Sequence, residues 1–406
     1  MTAHVNTVRA RAALPSPLPS SWRHITRDER RITHALRLVR RRITKSPEID
    51  PVTSASIAQL HHVDDRVLPG IRRVGSKTRV RYVEPNGRTI SNARVLQRIK
   101  SLAIPPAWTD VWICPDPDGH LQATGRDARG RKQYRYHAQW RAVRDEVKYG
   151  RLLAFAASLP RIRTRTAADL RRSGLPREKV LAAVVQLLER TLIRVGNEEY
   201  ARQNHSFGLT TMRSHHARVH GADVHFEFRG KSGVSHAVDL RDARLAPIIK
   251  ACRDLPGHEL FQYVDAGGRR QSIGSSDVNA YLREITGQAF TSKDFRTWGG
   301  TVLAACALAR TTPRRTKRAM TQQIVDAVKA AAKKLGNTSA VCKKCYIHPA
   351  VLDAYAHGGV IDAGQCTASF GGANALRAEE RAVVNLILGE RDSIEGRTGF
   401  HTSYAR

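Results

Sequence analysis

Within LGNTSAVCKKCYIHPAVLDAY (335–355), Cys342 and Cys345 stand three apart, His348 follows three further on, and Tyr346 is wedged between them. Three chemistries use such residues: half of a zinc site, a redox pair, or a tyrosine nucleophile in a cationic setting. A structural zinc site needs four ligands, normally two closely spaced pairs, and no second pair at that spacing follows. A redox CxxC belongs in a βαβ context, which this lysine-flanked, helix-like segment does not offer. The two cysteines therefore read as small residues packing one helical face. His215, His216, His220 and His225 read as surface or phosphate-contacting histidines beside a basic groove. Tyrosine chemistry on a phosphate needs partners. Charge spreading over the nonbridging oxygens calls for guanidinium forks, and the departing oxygen calls for a proton donor. Arg194 at a helix end, Lys231 at a hairpin tip and Arg296 in KDFRTWGG are of the right types. Their spacing does not single them out, because lone arginines are ordinarily surface charges.

Composition and patterning indicate the elements that must hold these residues. A chain of 406 residues is long enough for two domains with separate cores. Lys and Arg total 68 against 36 Asp and Glu, a net charge of +32, with a pI near 10.8. That imbalance implies a polyanionic partner, nucleic acid first, since a solubility coat would mix its signs. No apolar run reaches the ~18 residues of a membrane span, and the N-terminus lacks a secretory pattern. The six scattered cysteines are expected as reduced thiols in a cytosolic compartment.

Residues 1–60 read as a basic, flexible arm with one helix around 28–44. Its acid-free start faintly resembles a mitochondrial presequence, but LPSPLPSS breaks any long amphipathic helix. From 61 to 145, RVRYVEP, the NG at 86–87 and VWICPDPDG give strand and turn signals, with a helix near NARVLQRIKSL. From 146 to 362 the chain is mainly helical. PREKVLAAVVQLLERTLIRVG repeats apolar residues at helical spacing between Pro176 and a stop at Gly196. DVHFEFRGKSGVSHAVDL alternates on either side of a turn, a hairpin with Lys231 at its tip. KRAMTQQIVDAVKAAAKKLG is a helix ending at Gly336, and residues 363–406 form a tail with a last helix in ANALRAEERAVVNLILGER. The expected fold class is α+β, a small mixed N-terminal domain with a β-sheet followed by a larger helical domain.

IRVGNEEYARQNHSFGLTTMR, FRGKSGVSHAV, SKDFRTWGGTVLAA and KKLGNTSAVCKKCYIHPAVL, in this order, resemble the successive motifs of type IB DNA topoisomerases. LQATGRDARGRKQYRYH (121–137) resembles the N-terminal DNA-contacting segment of the compact poxvirus-like bacterial group. Together these cover roughly residues 65–360. The resemblance implies a catalytic domain of the tyrosine recombinase/type IB topoisomerase kind. The two domains would form a clamp around duplex DNA, in a monomeric, cytoplasmic, nucleoid-associated enzyme without cofactor. It also implies roles. Arg194 and Arg296 would be the catalytic arginines, Lys231 the lysine protonating the leaving 5′ oxygen, and Tyr346 the nucleophile. Tyr200 would touch phosphate, and Gln133, Tyr134, Tyr136 and Lys293 would contact DNA. One position departs from the poxvirus pattern: Asn337 stands where a histidine contacts a nonbridging oxygen. Asparagine still donates one N–H bond but carries no charge. Two alternatives share parts of this pattern. A tyrosine recombinase uses the same chemistry, but usually has His-x-x-Arg where this chain reads Lys293-Asp-Phe-Arg296, and lacks KQYRY. A non-catalytic DNA-compacting protein would explain the charge but not the partners of Tyr346.

Overall fold

The structure, a computed structural model, describes residues 51–75, 79–311, 316–366 and 375–397. The helix expected around 28–44 lies outside the described residues. Of the basic arm expected over 1–60, the described part is a short helix, α1 (Pro51–Ile57), followed by a turn. Ala55, Ala58 and Leu60 pack there on Trp140 and Val143. This last stretch behaves as part of the fold because it carries apolar side chains that Trp140 can cover.

A five-stranded antiparallel sheet follows, with order β2-β1-β3-β4-β5. Its strands are β1 (Ile71–Gly75), β2 (Val80–Val83), β3 (Thr109–Ile113), β4 (Leu121–Arg126) and β5 (Lys132–Tyr136). Ile71 pairs with Ile113 and Ile113 with Ala123, lining one face with apolar residues. Helix α2 (Ala93–Ser101), capped by the Asn92 side chain on the N–H groups of Arg94 and Val95, covers that face through Ile99. The mixed N-terminal unit expected from turn signals is thus present.

Helix α3 (Ala138–Asp169) begins two residues after β5 and runs for 32 residues. Its first turns pack on α1, and from Tyr149 onward it enters the main core. It therefore passes without a break through residue 145, where a domain boundary is expected from sequence. The centre of that core is α4 (Arg177–Thr191), in which every residue from Val180 to Leu188 is buried. The apolar spacing suggests one buried stripe; instead the helix is enclosed on all sides by α3, α7 (Ser275–Thr286) and α8 (Ser292–Ala309). Its stop also differs from expectation. Leu192 adopts φ +55° and closes the helix, so the chain is already extended at Arg194, before Gly196.

The expected hairpin is formed by β7 (Asp223–Arg229) and β8 (Ser235–Arg241), with Val224 opposite Leu240 and Phe226 opposite Val238. A third strand, β6 (Ala217–His220), pairs with β7 and has no counterpart in the sequence reading. Short helices α5 (Glu198–Asn204) and α6 (Leu245–Asp254) and a two-stranded ribbon, β9 (Gln262–Val264) with β10 (Arg270–Ser272), complete the first half of this region. Next come α9 (Lys317–Leu335), α10 (Ser339–Cys345) and α11 (Pro349–Ala356), and the terminal helix α12 (Ala378–Arg397) packs back onto α8 and α11. Arg163 of α3 ties this end down, donating to Glu189 of α4 at 2.8 Å and to Glu380 of α12 at 2.7 Å. Trp298 of α8 also donates to Glu380, at 3.2 Å. Mixed α+β architecture, with an N-terminal sheet and a helical core, is what the fold shows.

Candidate active site

Four chain segments build the site, and the first, second and fourth of them line one cavity of about 470 Å³. The first is the extended stretch after α4. Leu209 N–H donates to the Arg194 carbonyl at 2.9 Å and Thr210 N–H donates to that of Val195 at 2.6 Å, so the backbone under Arg194 is fixed from both ends. Its guanidinium donates to the Asn337 side-chain oxygen and, at 3.3 Å, to the Gly336 carbonyl. The second segment is α8, started by the Thr291/Asp294 capping box. One turn in, Arg296 is only 4% exposed. It donates to the carbonyls of Leu192 and, at 2.8 Å, Leu335, the last residues before the loops carrying Arg194 and Asn337. Arg296 thus bonds directly to both of those loops.

The third segment is the end of α9. Gly336 adopts φ +59°, the left-handed conformation that closes a helix and is cheap for glycine. The turn places Asn337 N–H on the Ala332 carbonyl at 3.0 Å and aims its side chain at Arg194. The fourth is α10, capped by Thr338, with Tyr346 as the residue that ends it. The Arg296 guanidinium lies 5.1 Å from the centre of the Tyr346 ring. A β-carbon on Gly300 would stand 2.6 Å from the Tyr346 carbonyl oxygen, so only glycine lets α8 approach the tyrosine segment this closely.

The electrostatics follow from burial. It lowers the pKa of Arg194, with the Tyr346 phenol acting the other way. Arg296 is pushed down to about 10 by burial and by the Arg194 charge, which still leaves it cationic at neutral pH. At this site two buried donors, Arg296 Nε and Asn337 Nδ2, have no hydrogen-bond partner among the described residues. Unpaired donors in a cationic hollow suit an anionic oxygen, since each otherwise bears an unrecovered desolvation cost of about 1–3 kcal/mol. Lys231 lines the same cavity from the hairpin turn, whose Ser232 and Gly233 both have positive φ. Tyr200 on α5 and Lys293 on α8, both exposed, line it too.

Gln133, Tyr134 and Tyr136 do not reach the cavity. They lie on β5, where Gln133 donates to Asp127 at 3.0 Å and Tyr134 stacks on Tyr136, which stacks on Trp140 at 4.4 Å. Cys342 is fully buried, and burial pushes its thiol up to about 11, so it is no thiolate at neutral pH. Cys345 lines the cavity beside Tyr346. His216, expected at a surface or on a phosphate, is buried against Phe207 and accepts from Arg213 N–H at 3.0 Å; burial brings its pKa down to about 4. His225 pairs with Asp239 at 2.6 Å. Sequence reasoning missed Lys148, which enters the cavity wall from α3, and His236, packed against Gly230 and Gly336 behind Arg194. Neither lies in a local pattern that marks it; His236 has only its place opposite Phe228 in the hairpin.

A buried and a half-buried guanidinium converging on a tyrosine at a cationic cavity make a site suited to a phosphate group, on a mixed α+β scaffold. Residues 137–359 match the family described as the catalytic core of eukaryotic DNA topoisomerase I. Residues 79–127 match the N-terminal domain of bacterial DNA topoisomerase IB. The chain is 32% identical over 299 residues to DNA topoisomerase 1B of Acanthamoeba polyphaga mimivirus, covering 72% of this chain and 89% of that protein. It is 27% identical over 177 residues to DNA topoisomerase 1B of vaccinia virus (strain Copenhagen), covering 41% of this chain and 54% of that one. The chain belongs to the type IB DNA topoisomerase family.

Proposed function

We propose that the protein relaxes supercoiled duplex DNA by transient cleavage of one strand, with Tyr346 as nucleophile. The Tyr346 oxygen attacks a backbone phosphorus and releases its proton to solvent. The P–O5′ bond breaks, and the departing 5′ oxygen takes a proton from Lys231. A 3′-phosphotyrosyl link and a free 5′-hydroxyl result. The broken strand swivels, and the hydroxyl attacks back to expel the tyrosine. One phosphodiester is exchanged for another at each step, so the cycle needs no ATP. Arg194, Arg296 and Asn337 stabilise the charge on the nonbridging oxygens, a task that preorganised donors perform well in a desolvated site.

The observation that carries this reading is the convergence of Arg194, Arg296 and Lys231 on the cavity at Tyr346, with Asn337 bonded to Arg194 beside it. Tyr200 and Lys293 sit at its exposed margin, where the flanking backbone would run. In this reading Gln133, Tyr134 and Tyr136 contact the duplex from the N-terminal domain, and the two domains clamp it, the protein acting as a monomer associated with the nucleoid. Relaxation of excess plasmid in EDTA without ATP tests the activity. Tyr346→Phe removes one oxygen and should abolish relaxation and the covalent adduct while leaving duplex binding intact. Loss of the adduct in Tyr355→Phe, with Tyr346→Phe unaffected, would overturn the assignment.

A further inference from the structure

Helix α3 reaches the tyrosine segment with two adjacent side chains. The Lys148 ammonium donates to the Cys345 carbonyl, and Tyr149 Oη donates to the Lys344 carbonyl at 3.1 Å. These are the last two carbonyls of α10 before Tyr346, which lack acceptable partners within their own short helix. The pair is itself braced. Lys148 lies 4.5 Å from the Tyr149 ring centre, and Tyr149, 8% exposed, packs edge-on against His348 at 5.0 Å. On the opposite side the Thr301 hydroxyl of α8, which donates to the Thr297 carbonyl at 2.8 Å, accepts from His348 N–H at 3.0 Å and lies 3.4 Å from the Tyr346 carbonyl oxygen. Residues 344–348 are therefore gripped between α3 and α8. The α8 side also carries Arg296, whereas α3 starts at the end of β5, the strand bearing Tyr134 and Tyr136.

We propose that Lys148 and Tyr149 are positioning residues for the tyrosine, fixing the height of the Tyr346 backbone and tying it to the helix that leaves the N-terminal sheet. This rests on Tyr346 being the nucleophile. An ammonium in this place is costly unless used, since burial lowers its pKa. Cys345, Asp145, Tyr346 and Asp294 face it and oppose that shift. A carbonyl at a helix C-terminus is a natural acceptor for a cation, and the bond holds the helix end rather than a surface loop.

Single-turnover cleavage at saturating duplex, on an ordinary substrate and on one with sulfur replacing the bridging 5′ oxygen, tests it. Lys148→Met should bind duplex within about threefold of the parent yet cleave about tenfold or more slowly, as expected for a nucleophile misplaced by a fraction of an ångström. Lys148→Arg, which can still donate to the Cys345 carbonyl, should recover most of the rate. The sulfur substrate should not rescue Lys148→Met, because the defect lies at the attacking group. Parental cleavage at saturation, or rescue by sulfur, overturns the proposal. If melting shows that Lys148→Met does not fold, Tyr149→Phe decides: it should slow both substrates alike, and an unchanged rate rejects the idea. An adduct formed by Tyr346→Phe would instead reject the nucleophile assignment.

Discussion

At the residue scale, the four donors proposed to act with Tyr346 differ in what they have to donate and in how firmly they are held. Lys231 sits on an exposed turn and lines the cavity with a solvent-accessible ammonium, the proton donor proposed for the departing oxygen. Asn337 is fixed by its bond from Arg194 and keeps an unpaired buried Nδ2, suited to a static oxygen. Lys231→Ala should therefore slow cleavage by about 10²–10⁴-fold, the usual worth of general-acid catalysis. Replacing the bridging oxygen by sulfur, a better leaving group, should erase most of that loss. Asn337→Ala should slow both substrates alike, by about 10²-fold at most for one neutral donor. Asn337→His restores an N–H and should keep substantial activity. Single-turnover cleavage of the two substrates measures all three, and sulfur rescue of Asn337→Ala alone would exchange the two roles.

At the element scale, α8 is the frame of the site. Arg296 faces the carbonyls of Leu192 and Leu335, while Gly299 meets Leu192 and Gly300 meets Tyr346 one turn later. In an ordinary helix interior, replacing glycine by alanine stabilises by about 0.8–1 kcal/mol. Here the two glycines should differ. At Gly299 the new methyl group would press on the end of a leucine side chain, which can shift. At Gly300 it would stand 2.6 Å from the backbone oxygen of Tyr346, which cannot move without shifting Tyr346 itself. Gly300→Ala should cost more in cleavage rate than in melting temperature, and Gly299→Ala should show the milder loss of activity. A Gly300→Ala protein that is more stable and fully active would mean that α8 does not set the tyrosine's position.

At the scale of the whole molecule, charge and end-to-end closure govern behaviour. With a net charge of +32, duplex affinity should fall steeply with salt, the logarithmic slope losing about 0.9 for each phosphate contact removed. Because residues 51–60 pack on α3, the informative deletion is 1–50, which removes eleven Lys and Arg. It should reduce nonspecific affinity and the salt slope while leaving cleavage of a short duplex unchanged; a lost cleavage step would place the arm in the active domain. Closure of the chain depends on Glu380, 3% exposed, holding Arg163 and Trp298. Burial alone would raise its pKa, but the hydrogen bond and charge of Arg163, with Arg377, outweigh it and lower the pKa from 4.5. A depressed carboxylate stabilises the fold above its unfolded pKa and loses that contribution as pH falls through the folded one. Glu380→Gln should thus lower stability at neutral pH by about 3 kcal/mol, the low end for a broken buried pair because Glu189 remains on Arg163. It should also flatten the acid limb of the melting profile below pH 4.5; an unchanged profile would show that the carboxylate is not what closes the chain.

Sequence alone determined what depends on neighbours along the chain. Gly336 ends α9 where the apolar period stops, the alternation of Val224, Phe226 and Phe228 makes a strand, and the ordered motifs around Arg194, Lys231, Arg296 and Tyr346 indicate the family. The stop at Leu192 was not legible, because a leucine adopts the left-handed conformation only when surrounding packing holds it there. Neither was β6, a strand of four residues that exists by pairing with β7. Lys148 shows the same limit most clearly. On paper it is one more lysine in a basic helix, nearly two hundred residues from the carbonyl it bonds. Its place beside Tyr346 follows from how α3, α8 and α10 pack, and that is decided by long-range contacts among buried side chains, which no local pattern encodes.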